Sequence, residues 1–266
     1  MARPISFLSD YGLDDEFVGV VHGVVARISA EIKVIDVTHH VARGDVRAGA
    51  LALLRGVQYL PPGVALAVVD PGVGTDRKAL AVETEWGHFV GPDNGLLAPA
   101  VAMVGGATRM VSIEEPAFRL PGGGTFDGRD VFAPAAAVLA AGEASLTDLG
   151  PEIAGAAITP LLLPLVDHGE GLVDGEVFWV DHFGNAQTNV SPDDLELIGL
   201  RPGDTLVLRV GATLHQVRWE TAYGSGDDPM IHTDSYGMIA IAVPGGRADD
   251  RLNLSEGLSV GFRSLT

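Results

Sequence analysis

The chain contains no cysteine, so disulfides, thiolate metal sites and cysteine nucleophiles are excluded. Basic residues are scarce: 17 Lys and Arg face 35 Asp and Glu, a formal net charge of −18. Nucleic acids and anionic membrane surfaces both demand a basic patch, so neither is an expected partner. Apolar runs are broken by Gly, Pro or charge before reaching a membrane-spanning length. The N-terminal stretch MARPISFLSDYG has no basic segment followed by an apolar one, so it does not read as a secretion signal. A cytoplasmic location is expected. The histidines avoid metal-ligand spacing, and His39-His40 is an adjacent pair whose side chains point apart. No catalytic metal and no cofactor are expected. Neither a Walker-type Gly-Lys-Ser/Thr nor a G-x-S-x-G elbow is present.

What is there suits folding. Hydrophobic residues are 47% and charged residues 20% of 266, enough for one large or two ordinary domains. Ile5 to Ser9 is a short apolar run that ends in Asp10-Tyr11-Gly12 and reads as a buried strand. Asp14 is expected to cap the next helix, with Asp15 and Glu16 at its positive end. Phe17, Val18, Val21, Val24, Val25 and Ile28 then recur at helical spacing. A strand at Val34 to Val37, a helix at Ala48 to Val57 and an all-apolar strand at Val64 to Val69 follow. Strand-like runs come at Ala79 to Glu83 and His88 to Val90, and a helix at Asp130 to Ala141. This alternation predicts a layered α/β domain with a mostly parallel sheet between helices. Beyond Gly171 short strands split by turns predict a small β-barrel: Gly175 to Val180, Thr205 to Val210, Thr213 to Trp219, Met238 to Val243. The expected division is an α/β domain over 1–155, a linker over 156–171 and a β-barrel domain over 172–266.

Ligands in open α/β sheets bind beyond the carboxyl ends of the strands. Asp10 and Asp70 both stand at such ends, each before a Gly-containing turn. Asp10 alone suits a turn cap, yet a carboxylate there can also accept both hydroxyls of a ribose. In Asp70-Pro71-Gly72-Val73-Gly74-Thr75-Asp76-Arg77 the flanking charges either brace the loop as an ion pair or orient a water molecule. Thr125-Phe126-Asp127-Gly128-Arg129-Asp130, after three glycines, reads by pattern as a hairpin and a helix cap. Asp181-His182-Phe183-Gly184-Asn185 reads as a turn between barrel strands. Functionally, Asn185 offers a donor and an acceptor, and Asp181 can hold an ammonium group.

Taken together, these segments resemble the S-adenosyl-L-methionine (SAM) hydroxide adenosyltransferases, relatives of the fluorinase and chlorinase enzymes. The matching stretches are Phe7 to Gly12, Ile35 to His39, Val69 to Thr75, Gly91 to Leu97, Thr125 to Pro134, Asp181 to Asn189 and Asp234 to Gly237, in the family's order. The resemblance implies a larger α/β domain, a small C-terminal β-barrel and a homotrimer. It implies that the substrate lies between the N-domain of one subunit and the C-domain of its neighbour. It places Asp10 on the ribose hydroxyls, Asp15, Asp181 and Ser235 at the methionine end, and Tyr236 among the substrate-binding residues. Asn185 and backbone near Val243 and Gly245 would meet the adenine, and Asp70 and Arg77 would position the attacking water. The implied reaction is hydrolysis of SAM to adenosine and L-methionine, with SAM as substrate. The chain departs from the family at Asp127, where a histidine is usual in Thr-Phe-His-Gly-Arg-Asp. Two carboxylates near one water would repel, and Asp127 can serve as a general base in its place. Four rival expectations stand beside hydrolysis: a non-catalytic adenosine or SAM binder, a halide-using 5′-halogenase, a structural module of a larger assembly, and a nucleotide enzyme built on the Gly-rich loops. The last is disfavoured by the absence of lysine from those loops.

Overall fold

A computed structural model of the chain describes residues 2–121, 124–153, 158–223 and 226–265. Gly122 and Gly123 of the glycine cluster, and residues 156 and 157 of the expected linker, lie outside the described residues. Contacts divide the chain into two compact units, Met1–Leu162 and Leu163–Thr266.

The first unit is built on β1 (Ile5–Ser9), α1 (Phe17–Ile28), β2 (Val34–Thr38), α2 (Val46–Val57), β3 (Val64–Val68), β4 (Ala79–Glu83), β5 (His88–Pro92), α3 (Ala98–Met103), β6 (Arg109–Ser112) and α4 (Ala133–Ala141). The sheet order is β2-β1-β3-β5-β4-β6. β2, β1, β3 and β5 run parallel, and β4 is antiparallel to both its neighbours. β3, VALAV, is buried at every position because both faces of the sheet are covered. One face carries α1 and α4 through Val18, Val21, Val25 and the alanines of α4. The other carries α2 and α3 through Ala50, Leu53, Ala100 and Val101. α4 is buried from Ala133 to Ala140, and its small side chains suit it to a position against the sheet. A wide helical turn, Gly128–Phe132, leads into it.

One helix start differs from expectation. Residues Asp10 to Glu16 form no helix, with bends at Asp10 and from Leu13 to Glu16, so α1 begins at Phe17. The cap position falls to Glu16, whose side chain makes no cap bond, and Asp14 is left outside the helix. α2 does have a side-chain cap: Asp45 accepts from the Ala48 amide at 2.8 Å.

The second unit is a closed barrel. Its elements are β7 (Asp167–Gly169), β8 (Leu172–Val180), β9 (Ala186–Thr188), α5 (Pro192–Leu197), β10 (Thr205–Val210), β11 (Thr213–Glu220), β12 (Met230–Thr233), β13 (Ile239–Ala242), α6 (Ala248–Leu252) and β14 (Ser259–Ser264). The order β14-β10-β11-β12-β13-β9-β8 closes where β14 pairs with β8, Val260 opposite Gly175 and Phe262 opposite Val173. Closure removes the free edges of the sheet. Leu206, Leu208 and Val210 alternate inward along β10 and pack in one core with Trp219 and Phe262. β7 pairs with β8 from within the stretch expected as linker. Among the described residues, no helix is long and apolar enough to cross a membrane.

Candidate active site

In the first unit the chain leaves β1 for β2 on one side, while β3 lies on the other. The β1/β3 boundary is therefore a topological switch point, where loops diverge and leave a crevice. Ser9 pairs with Val68, so Asp10 and Asp70 stand nearly level beyond these two strand ends. Asp10 is half-buried, and its Oδ2 accepts from the Gly44 amide at 2.8 Å.

The loop after β3 folds back as its glycines suggest. Thr75 Oγ1 donates to the Gly72 carbonyl at 2.7 Å, which returns Arg77 to Asp70. Arg77 Nε donates to both Asp70 oxygens at 3.0 Å. Arg77 Nη2 bonds Asp70 as well and reaches Asp127 Oδ2 at 2.5 Å. All three side chains are largely buried, with 12% of Arg77, 7% of Asp70 and 14% of Asp127 exposed. The Arg77 guanidinium also lies 5.1 Å from the Phe132 ring centre. Burial opposes its charge, but the hydrogen bonds and charge of Asp70, then of Asp127, outweigh that and raise its pKa.

Asp127 is thus not a helix cap. It makes no cap hydrogen bond at the Gly128–Phe132 turn and is turned instead onto Arg77. Repulsion between Asp70 and Asp127 is relieved because the guanidinium sits between them. The cluster offers carboxylate oxygens that can accept from a water, on a frame held by charge-assisted bonds.

A chain of hydrogen bonds runs behind Asp10. His39 Nε2 and His22 Nε2 both meet Asp36 Oδ1, at 3.0 and 2.9 Å. Because an ionised carboxylate only accepts, His39 donates through Nε2, while its Nδ1 shares a hydrogen bond with the Ser9 hydroxyl at 2.7 Å. Ser9 Oγ in turn accepts the Tyr11 amide at 3.4 Å, and Gly12 N donates to the His39 carbonyl at 2.7 Å. Burial alone would raise the Asp36 carboxyl, but the hydrogen bonds of His39 and His22 hold it below its ordinary value. Ser9 is fully buried, so the Ser–His–Asp order here is a brace for the loop and not a nucleophile. His40 points to solvent. Asp15 lies exposed in the bends before α1.

In the second unit two turns share one design. Asp181-His182-Phe183-Gly184-Asn185 and Asp234-Ser235-Tyr236-Gly237-Met238 both read D-x-x-G-x. In each, the aspartate Oδ1 accepts amides two and four residues on: Phe183 and Asn185 at 2.9 and 2.8 Å, Tyr236 and Met238 at 2.8 and 3.0 Å. Gly184 and Gly237 take φ of +85° and +80°, which favours glycine. The Asp181 carboxylate also accepts from the Asn185 amide group at 2.8 Å, so it shapes the turn as well as facing the space beside it.

The two turns flank a cavity of about 440 Å³, lined by Asp181, Asn185, Gln187, Tyr223, Ser235 and Tyr236 among others. A neighbouring cavity of about 630 Å³ shares Asp181, Asn185 and Tyr223 and adds Phe183, Val243 and Gly245. Both fall in the size range of small-molecule sites. Six expected residues — Asp181, Asn185, Ser235, Tyr236, Val243 and Gly245 — thus come together around this pair of cavities. Burial, then Asp181 and Asp234, raise the pKa of Tyr223.

The matching family models are the SAM hydroxide adenosyltransferase N-terminal domain, over residues 5–150, and its C-terminal domain, over residues 175–261. The chain belongs to the SAM hydroxide adenosyltransferase family. A relative from Salinispora tropica, named (R)-S-adenosyl-L-methionine hydrolase, is 45% identical over 95% of each chain. One of the same name from Thermus thermophilus is 39% identical over 97% of this chain and 98% of its own. A fluorinase from Actinopolyspora mzabensis is 27% identical over 97% of each. A solved structure of an uncharacterized conserved protein from Thermotoga maritima matches with a TM-score of 0.91 at 34% identity, covering 98% of this chain and 100% of that one.

Sequence reasoning missed residues in both places, at the cavities of the second unit and beside the charged cluster of the first. Gln187, two residues beyond Asn185 on β9, lines the same cavity and bonds Asp234. The strand's period of two was the available signal. Asp234 stood in a matching stretch without a role, and its D-x-x-G spacing matches that of Asp181. Tyr11 carried no polar pattern and emerges only from the packing.

Proposed function

We propose that the chain hydrolyses SAM to adenosine and L-methionine, acting on the (R) sulfonium epimer named for its relatives. The observation that carries this reading is the Asp70–Arg77–Asp127 cluster at the switch point of a chain with the family's pattern along its length. A water oxygen bonds C5′ of the ribose as the C5′–S bond breaks. The electron pair stays on sulfur, which leaves as the neutral thioether of methionine. The proton lost by water passes to a carboxylate of the cluster, Asp127 in this reading, and on to solvent. A sulfonium needs no acid to depart, so the protein's task is to hold nucleophile, carbon and sulfur in line. Alignment of this kind supplies several kcal/mol, of the order of 7–11 at its limit. Asp10 takes the ribose hydroxyls. Asp15, Asp181, Ser235 and Tyr236 take the methionine end, and Asn185 with backbone near Val243 and Gly245 takes the adenine. Since these groups are shared between two units, a homotrimer pairing the first unit of one copy with the second unit of another is part of the proposal. No cofactor is required by this chemistry.

A halide beside Asp70 and Asp127 meets like charge, which favours water over chloride or fluoride. Turnover in ¹⁸O-labelled water with excess chloride tests both points. Label in the 5′-hydroxyl of adenosine is expected. Mainly 5′-chloro-5′-deoxyadenosine would overturn hydrolysis, and SAM binding without any product would leave a binder. Sedimentation of the purified chain tests the trimer.

A further inference from the structure

We infer that the Tyr11 hydroxyl is a further catalytic group, donating a hydrogen bond to the attacking water beside Asp70 and Asp127. The inference rests on the hydrolytic reading and deepens it. Tyr11 directly follows Asp10 at the end of β1, and its backbone is held by Ser9 and His39 through the bonds to Tyr11 N and Gly12 N. Its ring is fixed from three sides, by Phe126 at 5.5 Å, Phe17 at 6.0 Å and Phe7 at 6.3 Å between ring centres. The phenol oxygen reaches the residue next to Asp127: a Cβ built on Gly128 would lie 1.9 Å from it. The hydroxyl therefore sits at the wall of the charged cluster, on a side chain with little freedom to turn away.

Chemistry at that place calls for a donor. A water has two hydrogens and two lone pairs. Asp70 and Asp127 can accept the hydrogens, and one lone pair must face C5′. The second lone pair is satisfied only by a donor. Arg77 Nε and Nη2 already point at the two carboxylates. Tyr11 supplies an O–H that remains protonated, since burial and then the charges of Asp10, Asp70 and Asp127 hold its ionisation far above the ordinary range, with Arg77 opposing. A phenol kept neutral can only steer the water; it cannot take its proton, which stays with the carboxylates. The Tyr11 hydroxyl takes the donor's part.

Tyr11→Phe keeps the ring and removes the oxygen. The expected result is a fall in kcat of about ten- to a hundredfold, with KM, calorimetric SAM affinity and Tm unchanged, the pattern of a contact made mainly in the transition state. Tyr11→Leu, which loses the ring as well, should also lower Tm. Wild-type kcat in Tyr11→Phe would overturn the inference. So would a fall in kcat matched by weaker SAM binding or lower Tm, because that is the mark of packing. Wild-type protein that releases no adenosine would refute the hydrolytic reading itself, and the role of Tyr11 with it.

Discussion

Replacing Arg77 with methionine keeps an apolar stem against Phe132 and removes the guanidinium between Asp70 and Asp127. Those carboxylates are 7% and 14% exposed, so water cannot fully take over its role. Breaking a buried ion pair from one side costs about 3–5 kcal/mol, most of it the penalty of the stranded charge. For a region of this size about 1 kcal/mol moves Tm by 2–4 °C, so a fall of roughly 6–20 °C is expected. The double variant Arg77→Met with Asp127→Asn strands one carboxylate instead of two, so it should be more stable than Arg77→Met alone. Scanning calorimetry and urea unfolding at neutral pH read both. A loss below about 1 kcal/mol for Arg77→Met, the scale of a surface pair, would refute the picture of a desolvated cluster. Turnover should be lost in either variant, because the carboxylates are no longer held on a water.

Asp127→His puts in place the histidine that the sequence resemblance implies there and adds an imidazole that titrates at about pH 6.5. Turnover of this variant should gain a fall, relative to the wild type, as pH drops through that region; comparing the two pH–rate profiles of kcat decides it. Gly128→Ala drives a methyl into the Tyr11 hydroxyl and should cut both activity and Tm, and adding Tyr11→Phe should recover part of the Tm while activity stays low. Asp194 caps α5 by accepting from the Ser191 amide and hydroxyl at 2.7 and 2.6 Å. Burial alone would raise its carboxyl, but these bonds and His168 lower it. A depressed folded pKa gives stability that is present above the unfolded value near about 4 and is lost as pH falls through the folded one. Asp194→Asn should therefore cost about 1 kcal/mol at pH 7 and progressively less under strong acid, as urea unfolding across pH will show.

The elements legible in the sequence were those with a long enough pattern. β1 and β3 are unbroken apolar runs, and α1 repeats valine at helical spacing over 12 residues. α3, α5, β9 and β12 have only 3–6 residues, too few for a period to emerge, and their existence depends on neighbours supplied by the rest of the fold. Asp14 failed as a cap because any acidic residue in Leu13 to Glu16 satisfies the local rule, while the start of α1 is set by where Val18 and Val21 reach the core. At the site, the pairing of Asp70 with Arg77 was legible in the loop between them, and Asp127 stood as a separate letter. Their joining by a single guanidinium spans a separation of 50 residues, which no local pattern records. Tyr11 was invisible for another reason: its ring reads as core, and only the crowding at Gly128 reveals where its oxygen goes.

The charge arrangement also bears on why such a cluster can serve a cationic substrate. Asp70, Asp127 and Arg77 together carry one net negative charge, and Asp10 adds another nearby. A sulfonium entering this field is attracted on binding, yet its charge vanishes as the C–S bond breaks. An unshielded pair of carboxylates would therefore hold the ground state better than the transition state and slow the reaction. Arg77 moderates that field while leaving carboxylate lone pairs free for water. The guanidinium thus has two separable duties, holding geometry and limiting ground-state attraction. Arg77→Lys, which keeps the charge but not the fork, separates them. If geometry dominates, kcat falls and KM for SAM holds. If charge balance dominates, the lysine variant keeps kcat, and only neutral replacements lower it while tightening KM.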